Sequence, residues 1–244
     1  MSVAIPNYNY KYMRRGKPVF APSGVGRRIG AEIKEAIEAA YQFDSSYFHL
    51  RSGGHVAAMH HHRDHHHFAR IDITRFFYSI SRRRVQSAMD RIGVGNAGFY
   101  AKWSTVVNPF KNPQYALPYG FVQSPILATL VMATSAVGEH LANIPDKVNV
   151  SVYVDDISFS SDDMSMLQST FSATIQVLEQ DGFSVSHEKI RPPASSIDIF
   201  NCDLLHGNTA VTNQRIEKFF ENVSSQESED AFIAYCASVE AGNI

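Results

Sequence analysis

The sequence predicts an α+β fold in which an antiparallel sheet packs on helices. Three observations predict it. In residues 148–154, Val148, Val150, Val152 and Val154 alternate with Asn149, Ser151 and Tyr153, the period of a half-buried strand. Ile157 and Phe159 begin a second alternating run, with Asp155 and Asp156 at the turn between the two. Ile29, Ile33, Ile37 and Tyr41, and again Leu167, Phe171, Ile175 and Leu178, recur at helical spacing.

The chain has 244 residues, 44% of them hydrophobic, which suffices for one sizeable core with a small appended lobe. A formal charge of −2 is low for a protein that grips nucleic acid unaided. The cations are clustered, however, at Arg14, Arg15 and Lys17, at Arg27 and Arg28, and at Arg82, Arg83 and Arg84. Such local faces are compatible with a near-neutral total. Cys202 and Cys236 lack metal-ligand spacing and read as thiols of a reducing compartment. With no run of 18 apolar residues and no basic-then-apolar leader, the expectation is a cytoplasmic protein without a membrane partner.

In chain order, residues 1–26 show no clear period, and Lys17-Pro18-Val19-Phe20-Ala21-Pro22 reads as a short edge strand. Residues 27–43 form a scaffold helix. A polar connection ends in Arg51-Ser52-Gly53-Gly54, and a second helix starts near Val56. Residues 55–67 hold seven of the eleven histidines, at 55, 60, 61, 62, 65, 66 and 67. Without accompanying Cys and with few acids, they read as a polar, partly solvated helix end rather than a metal site.

An apolar strand over 69–74 then delivers Asp72, followed by Phe76 and Phe77. Ser81 caps a helix over 81–92. Residues 96–113, with Trp103, Val106, Val107 and Phe110, suggest a helix ending at Asn108-Pro109 and carry no functional reading. Leu117-Pro118-Tyr119-Gly120 leads to Ser124-Pro125, an N-cap with proline at the first helical position. That helix is expected to run through Leu141 and stop before Pro145. Gly120 permits close backbone approach just ahead of it.

After the Asp155-Asp156 hairpin come a helix over 163–181, a short strand at 183–186 and Lys189 in a loop. Two strands bracketing Leu205-His206-Gly207-Asn208 follow, and then two helices, at about 215–223 and 229–240. Adjacent aspartates repel, so a site that keeps both ionised supplies a cation. Hard oxygen ligands suit Mg²⁺. Asp-Asp alone reads most simply as a solvated turn; its company changes that.

Together these stretches resemble the palm of a reverse transcriptase. Asp72-Ile73-Thr74-Arg75-Phe76-Phe77-Tyr78-Ser79-Ile80 is similar to the family's Asp-Ile-x-x-Phe-Phe-x-Ser-Ile motif, and Tyr153-Val154-Asp155-Asp156 to its Tyr-x-Asp-Asp motif. Residues 117–125 resemble Leu-Pro-Gln-Gly-x-x-x-Ser-Pro, with Tyr119 in place of Gln. Lys17 stands where a fingers motif usually has Arg, and the glycine usual near Asn201 is missing.

The resemblance implies a right-hand polymerase: fingers in 1–68, palm in 69–95 and 126–196, a connection at 96–125, a primer-grip-like hairpin at 197–212 and a minimal helical thumb in 213–244. It implies two Mg²⁺ ions, or Mn²⁺, on Asp72, Asp155, Asp156 and the carbonyl of Ile73, with Lys189 as general acid. Lys17, Arg51, Phe77, Tyr119 and Gly120 would meet the nucleotide, Phe77 against its 2′ carbon, and Phe200 and Asn201 the primer. The function implied is RNA-directed DNA polymerisation from dNTPs, of the retron, abortive-infection or defence-associated bacterial type. It implies a noncoding RNA template, a DNA product, and a partner protein or second copy completing the grip. Tyr119 and the small thumb also suggest a template-independent or protein-primed DNA polymerase, with Tyr8, Tyr10 or Tyr235 as primer. A non-catalytic RNA-binding palm subunit is the third reading.

Overall fold

The computed structural model describes residues 6–223 and 225–244. It begins with strands β1 (Tyr8–Arg14) and β2 (Lys17–Pro22), followed by helices α1 (Gly24–Ala40) and α2 (Gly54–His62). Next come β3 (His67–Asp72), α3 (Phe76–Ser79), α4 (Arg82–Arg91) and α5 (Ala97–Ser104). The short strands β4 (Val106–Val107) and β5 (Tyr115–Ala116) precede α6 (Ser124–Ala133) and α7 (Ala136–Ala142). β6 (Asn149–Tyr153), β7 (Asp156–Ser161) and α8 (Met164–Gln180) follow. The chain ends with β8 (Arg191–Ala194), β9 (Ser196–Ile199), β10 (Cys202–Leu205), β11 (Asn208–Val211), α9 (Asn213–Phe220) and α10 (Gln226–Glu240).

Contacts divide the chain into two units. The first takes the residues up to Asp44, Ile73–Ala142 and Val177–Ser184; the second takes Ser45–Asp72, Asn143–Gln176 and Val185–Ile244. In the first unit, Ser23 caps α1 by accepting from Gly26 N–H, and Ile33 and Ile37 on its inner face are fully buried. A cluster of Phe20, Tyr78, Val106, Ala116 and Phe121 forms a second part of this core. β1 pairs antiparallel with β2. β1 is almost wholly exposed, which is why its sequence shows no buried face.

The second unit holds an antiparallel four-stranded sheet in the order β6-β7-β3-β8 and a three-stranded one in the order β11-β10-β9. β8 is an edge strand whose register against β3 shifts between Phe68 and Arg70, and an edge with such an irregularity is where Pro192 and Pro193 are tolerated. Met59, Phe68, Ile197, Ile199, Leu204, Phe232 and Val239 form its core.

Several sequence expectations need correction. The helix expected to reach Leu141 breaks at Thr134-Ser135, with a bend of 73° between α6 and α7. The hydroxyls of Thr134 and Ser135 donate to the carbonyls of Leu130 and Met132, and Ser135 Oγ then accepts from Val137 N–H. Side-chain bonding to the backbone thus ends one helix and starts the next. Gln123, not Ser124, is the residue ahead of α6. The helix expected to end at Asn108 stops at Ser104 and gives way to β4.

His61 and His66 are exposed and His55, His60, His65 and His67 half-buried, in line with a partly solvated helix end; His62 is the exception. His62 is fully buried, with Nδ1 and Nε2 each 2.8 Å from the hydroxyls of Ser160 and Ser151. His60 reaches the Val239 carbonyl, and His66 bonds Asp162 and stacks on His206. The cluster therefore ties α2 and its C-terminal turn to the strands and to α10. Among the described residues no single helix is long and apolar enough to cross a membrane.

Candidate active site

β6 and β7 form a hairpin in which Tyr153 pairs with Asp156, leaving Val154 and Asp155 as a two-residue loop. Val154 has φ +59, an unfavourable left-handed conformation for a β-branched residue. Its N–H donates to Nδ1 of His49 (3.2 Å), which secures the loop from outside the hairpin. The loop forces the two aspartates apart in role: Asp155 sits in the turn, Asp156 begins β7.

β3 runs antiparallel to β7, and its last residue, Asp72, is the direct partner of Asp156. Residues opposed in this way project from the same face of a sheet. Asp72 is 4% exposed. The Asp72 carbonyl accepts from Ser186 N–H (2.8 Å), and Lys189 N–H in turn bonds the Ser186 carbonyl (3.0 Å). This short turn brings Lys189 Nζ within 3.1 and 3.3 Å of the two Asp72 carboxylate oxygens.

Arg70 was not singled out in the sequence. It lies two residues before Asp72 and so shares its strand face. Its Nε donates to Asp156 Oδ1 (2.7 Å), an Nη stands 3.9 Å from Asp72, and the other Nη donates to the Asp198 carbonyl (3.1 Å). Arg191 also pairs with Asp198. Asp72, Asp156 and Asp198 are thus matched by Arg70, Lys189 and Arg191. Burial pushes the Asp156 carboxyl up to about 6; Arg70 opposes this, while Asp155 and Asp72 reinforce it by repulsion. Burial, with the repulsion of Asp155 and Asp72 added to it, outweighs the short Arg70 bond. An Arg two residues ahead of an acid on an alternating strand was the available signal.

The hairpin expected at 197–212 is three-stranded. Phe200 and Asn201 form the β9–β10 turn with φ +55 and +62, the positive pair a tight hairpin demands, met here without glycine. Phe200 packs edge-on against Tyr153 (5.1 Å between ring centres) and against His55. Arg51, also in this unit, turns to the Ser45 carbonyl and covers the Phe48 ring.

Four other expected nucleotide or metal residues belong to the first unit, as does Ile73. Phe76 and Phe77 are both buried, and Phe77 meets the Tyr119 ring edge-on at 4.8 Å. Lys17 Nζ donates to the Tyr119 hydroxyl (3.3 Å). Lys17, Phe77 and Tyr119 therefore form one chain of contacts. The close approach at Gly120 is made by β2: a Cβ there would lie 2.3 Å from the Phe20 carbonyl oxygen, and φ is +103. Ile73 buries its side chain directly after Asp72.

The acids supply only hard oxygen donors, and Asp72 and Asp156 share a face, so the donor set fits a divalent ion such as Mg²⁺. Among the described residues no three His, Cys, Asp or Glu side chains converge as ligands. The carboxylates are instead turned toward Arg70 and Lys189.

Residues 15–200 match the family model described as reverse transcriptase (RNA-dependent DNA polymerase). No curated protein matches the chain. Among solved structures, the foamy viral protease-reverse transcriptase dRH in complex with double-stranded DNA matches with a TM-score of 0.54 and 17% identity, over 92% of this chain and 34% of that one. The foamy viral protease-reverse transcriptase with dsDNA gives 0.52 and 16%, over 92% and 40%. Its complex with an RNA/DNA hybrid gives 0.50 and 19%, over 80% and 23%. This chain thus spans well under half the length of these viral proteins, and at such identities the likeness shows the fold. With the family model covering most of its length, the chain belongs to the reverse transcriptase (RNA-dependent DNA polymerase) family.

Proposed function

We propose that the protein is an RNA-directed DNA polymerase that adds dNTPs to a 3′ hydroxyl, with Asp72, Asp155 and Asp156 holding two Mg²⁺ ions. The observation that carries this reading is the facing pair Asp72 and Asp156 on β3 and β7, with Asp155 one residue away. When bound, the ions would supply activation of the attacking oxygen and neutralisation of the pyrophosphate. The chain's own part is positioning. The β3–β7 register fixes two carboxylates on one face. The Ser186–Lys189 turn holds an ammonium beside Asp72, from where it can deliver a proton to a leaving group. The Ile73 carbonyl is proposed as a further ligand. Arg51 and the Lys17–Tyr119–Phe77 chain are proposed to meet the nucleotide, with Gly120 keeping Tyr119 against β2. Phe200 and Asn201 are proposed to meet the primer.

The finer assignment is a retron-like or defence-associated bacterial enzyme, working in the cytoplasm on a structured noncoding RNA with a partner protein or second copy. The Phe76-Phe77-Tyr78-Ser79-Ile80 form supports it. The test is incorporation of labelled dNTPs on an RNA template with a DNA primer, with and without Mg²⁺, followed by sequencing of nucleic acid that co-purifies with the protein. Mg²⁺-dependent, template-directed extension is expected. Extension that ignores the template sequence would move the reading to a template-independent enzyme.

A further inference from the structure

Trp103, the chain's one tryptophan, lines a cavity of about 510 Å³ within the first unit. α5 supplies Lys102 and Trp103 to its wall, β1 supplies Tyr8, β5 supplies Tyr115 and the start of α4 supplies Arg82. Asn7 draws these elements together: its Nδ2 donates to the carbonyls of Trp103 (3.1 Å) and Thr105 (2.9 Å). The volume falls in the range of small-molecule sites, ~300–1,000 Å³.

Arg82 is held in place from two sides. Its Nε donates to the Thr105 hydroxyl (2.7 Å), which itself donates to the Ala101 carbonyl (2.8 Å). Its guanidinium carbon lies 3.8 Å from the centre of the Tyr115 ring. Neither contact neutralises it. Among the described residues Arg82 has no carboxylate partner, nor has the exposed Lys102, and no Asp or Glu lines the cavity. The neighbouring Arg84, by contrast, is paired with Asp181. Half-buried cations are ordinarily matched by acids. Burial lowers the Arg82 pKa, opposed only by the Tyr115 phenol and by no carboxylate.

Two unmatched cations beside aromatic rings call for a ligand with an anion and a flat ring. Phosphate suits the arginine fork and the lysine; a nucleobase suits aromatic faces and the guanidinium plane. We propose that this cavity binds one nucleotide unit, with its base against Trp103, Tyr115 and the Arg82 plane and its phosphate on Arg82 and Lys102. The site shares no residue with the carboxylate network. The same chemistry is offered by a free nucleotide and by one unit of a single strand; that a strand delivers it rests on the polymerase reading.

Trp103 reports on the site directly. Full-length Asp156→Asn protein, without Mg²⁺, is titrated with a deoxythymidine oligomer and separately with thymidine 5′-monophosphate while tryptophan emission is followed. A saturable change is expected. Tighter binding of the oligomer assigns the site to a strand, and equal binding per unit to a free nucleotide. Arg82→Gln should weaken binding by roughly tenfold or more. Lys102→Ala, at an exposed position that leaves the fold intact, should weaken it about threefold. Emission indifferent to both ligands, or titrations unchanged by both substitutions, overturns the proposal. Tryptophan-reported binding together with a wild-type protein that does not incorporate dNTPs removes the polymerase reading and leaves this site standing; incorporation by the wild type with silent tryptophan does the reverse.

Discussion

Asp72 and Asp156 face each other across β3 and β7, yet each gives its carboxylate to a different cation, Lys189 at 3.1 Å and Arg70 at 2.7 Å. Facing acids on neighbouring strands repel, and this pair is stable because both cations reach in alongside them. The arrangement has direct experimental consequences.

Asp72→Asn and Asp156→Asn should each abolish dNTP incorporation, by about 1,000-fold or more if the carboxylates hold the ions. Circular dichroism should show an unchanged fold. Substantial residual extension by a folded variant would remove that residue from the metal site.

Arg70→Gln leaves Asp156 buried without its guanidinium. The ion-free protein should lose on the order of 3 kcal/mol, the scale for breaking a buried ion pair. MgCl₂ should then raise the melting temperature of the variant more than that of the wild type, since the carboxylates are freed for the ion. Scanning fluorimetry with and without MgCl₂ measures both effects. Equal melting temperatures and equal Mg²⁺ responses would show that Arg70 is incidental to the site.

Phe77 packs on Tyr119, whose hydroxyl receives Lys17. If the Phe77 ring guards the 2′ position, Phe77→Val should raise ribonucleotide incorporation relative to deoxynucleotide on the order of tenfold. Tyr119→Ala should mimic part of that effect by withdrawing support from the ring. Competition between rNTP and dNTP on one template reads the ratio. Unchanged discrimination in both variants makes the pair core packing only.

His62 gives a pH prediction. Full burial, helped by His61 and His65, holds its pKa well below the ordinary 6.5, and β6 and β7 present only the Ser151 and Ser160 hydroxyls to it. The unfolded chain gains a proton near pH 6.5 that the folded chain refuses. Stability should therefore be full above about pH 6.5 and fall as the pH drops below it, by up to about 1.4 kcal/mol per pH unit from this group. His62→Gln should be less stable at neutral pH but show a shallower decline. Urea denaturation across pH 5 to 8 tests this, and parallel slopes would exclude His62 as the source.

The local placement of the candidate site's acids could be read in the sequence because the relevant signals are local. Alternation around Val148–Val154 and Ile157 placed the Asp-Asp turn, and the apolar run before Asp72 placed the third acid. What stayed hidden depends on pairing between distant segments. Spacing puts Arg70 on the face of Asp72, but its partners Asp156 and Asp198 are revealed only once β7 and β9 lie beside β3. β8 contains two prolines and no alternation, so only its edge position makes it a strand. β1 buries no face and carries no period. The apolar pattern of α6 runs on into α7, and two hydroxyls that bond backwards, invisible to periodicity, break it. Trp103 had no reading because its neighbours Tyr8 and Arg82 come from far along the chain.

The cations that quiet Asp72 and Asp156 belong to the chain itself, one of them to the same strand as Asp72. The pocket can thus assemble in a chelating buffer, and folding is uncoupled from ion loading. If the carboxylates hold ions as proposed, those ions would compete with residues already in place, and occupancy would be an exchange rather than a filling. The protein should therefore be obtainable as a folded, ion-free species that is switched on by titration.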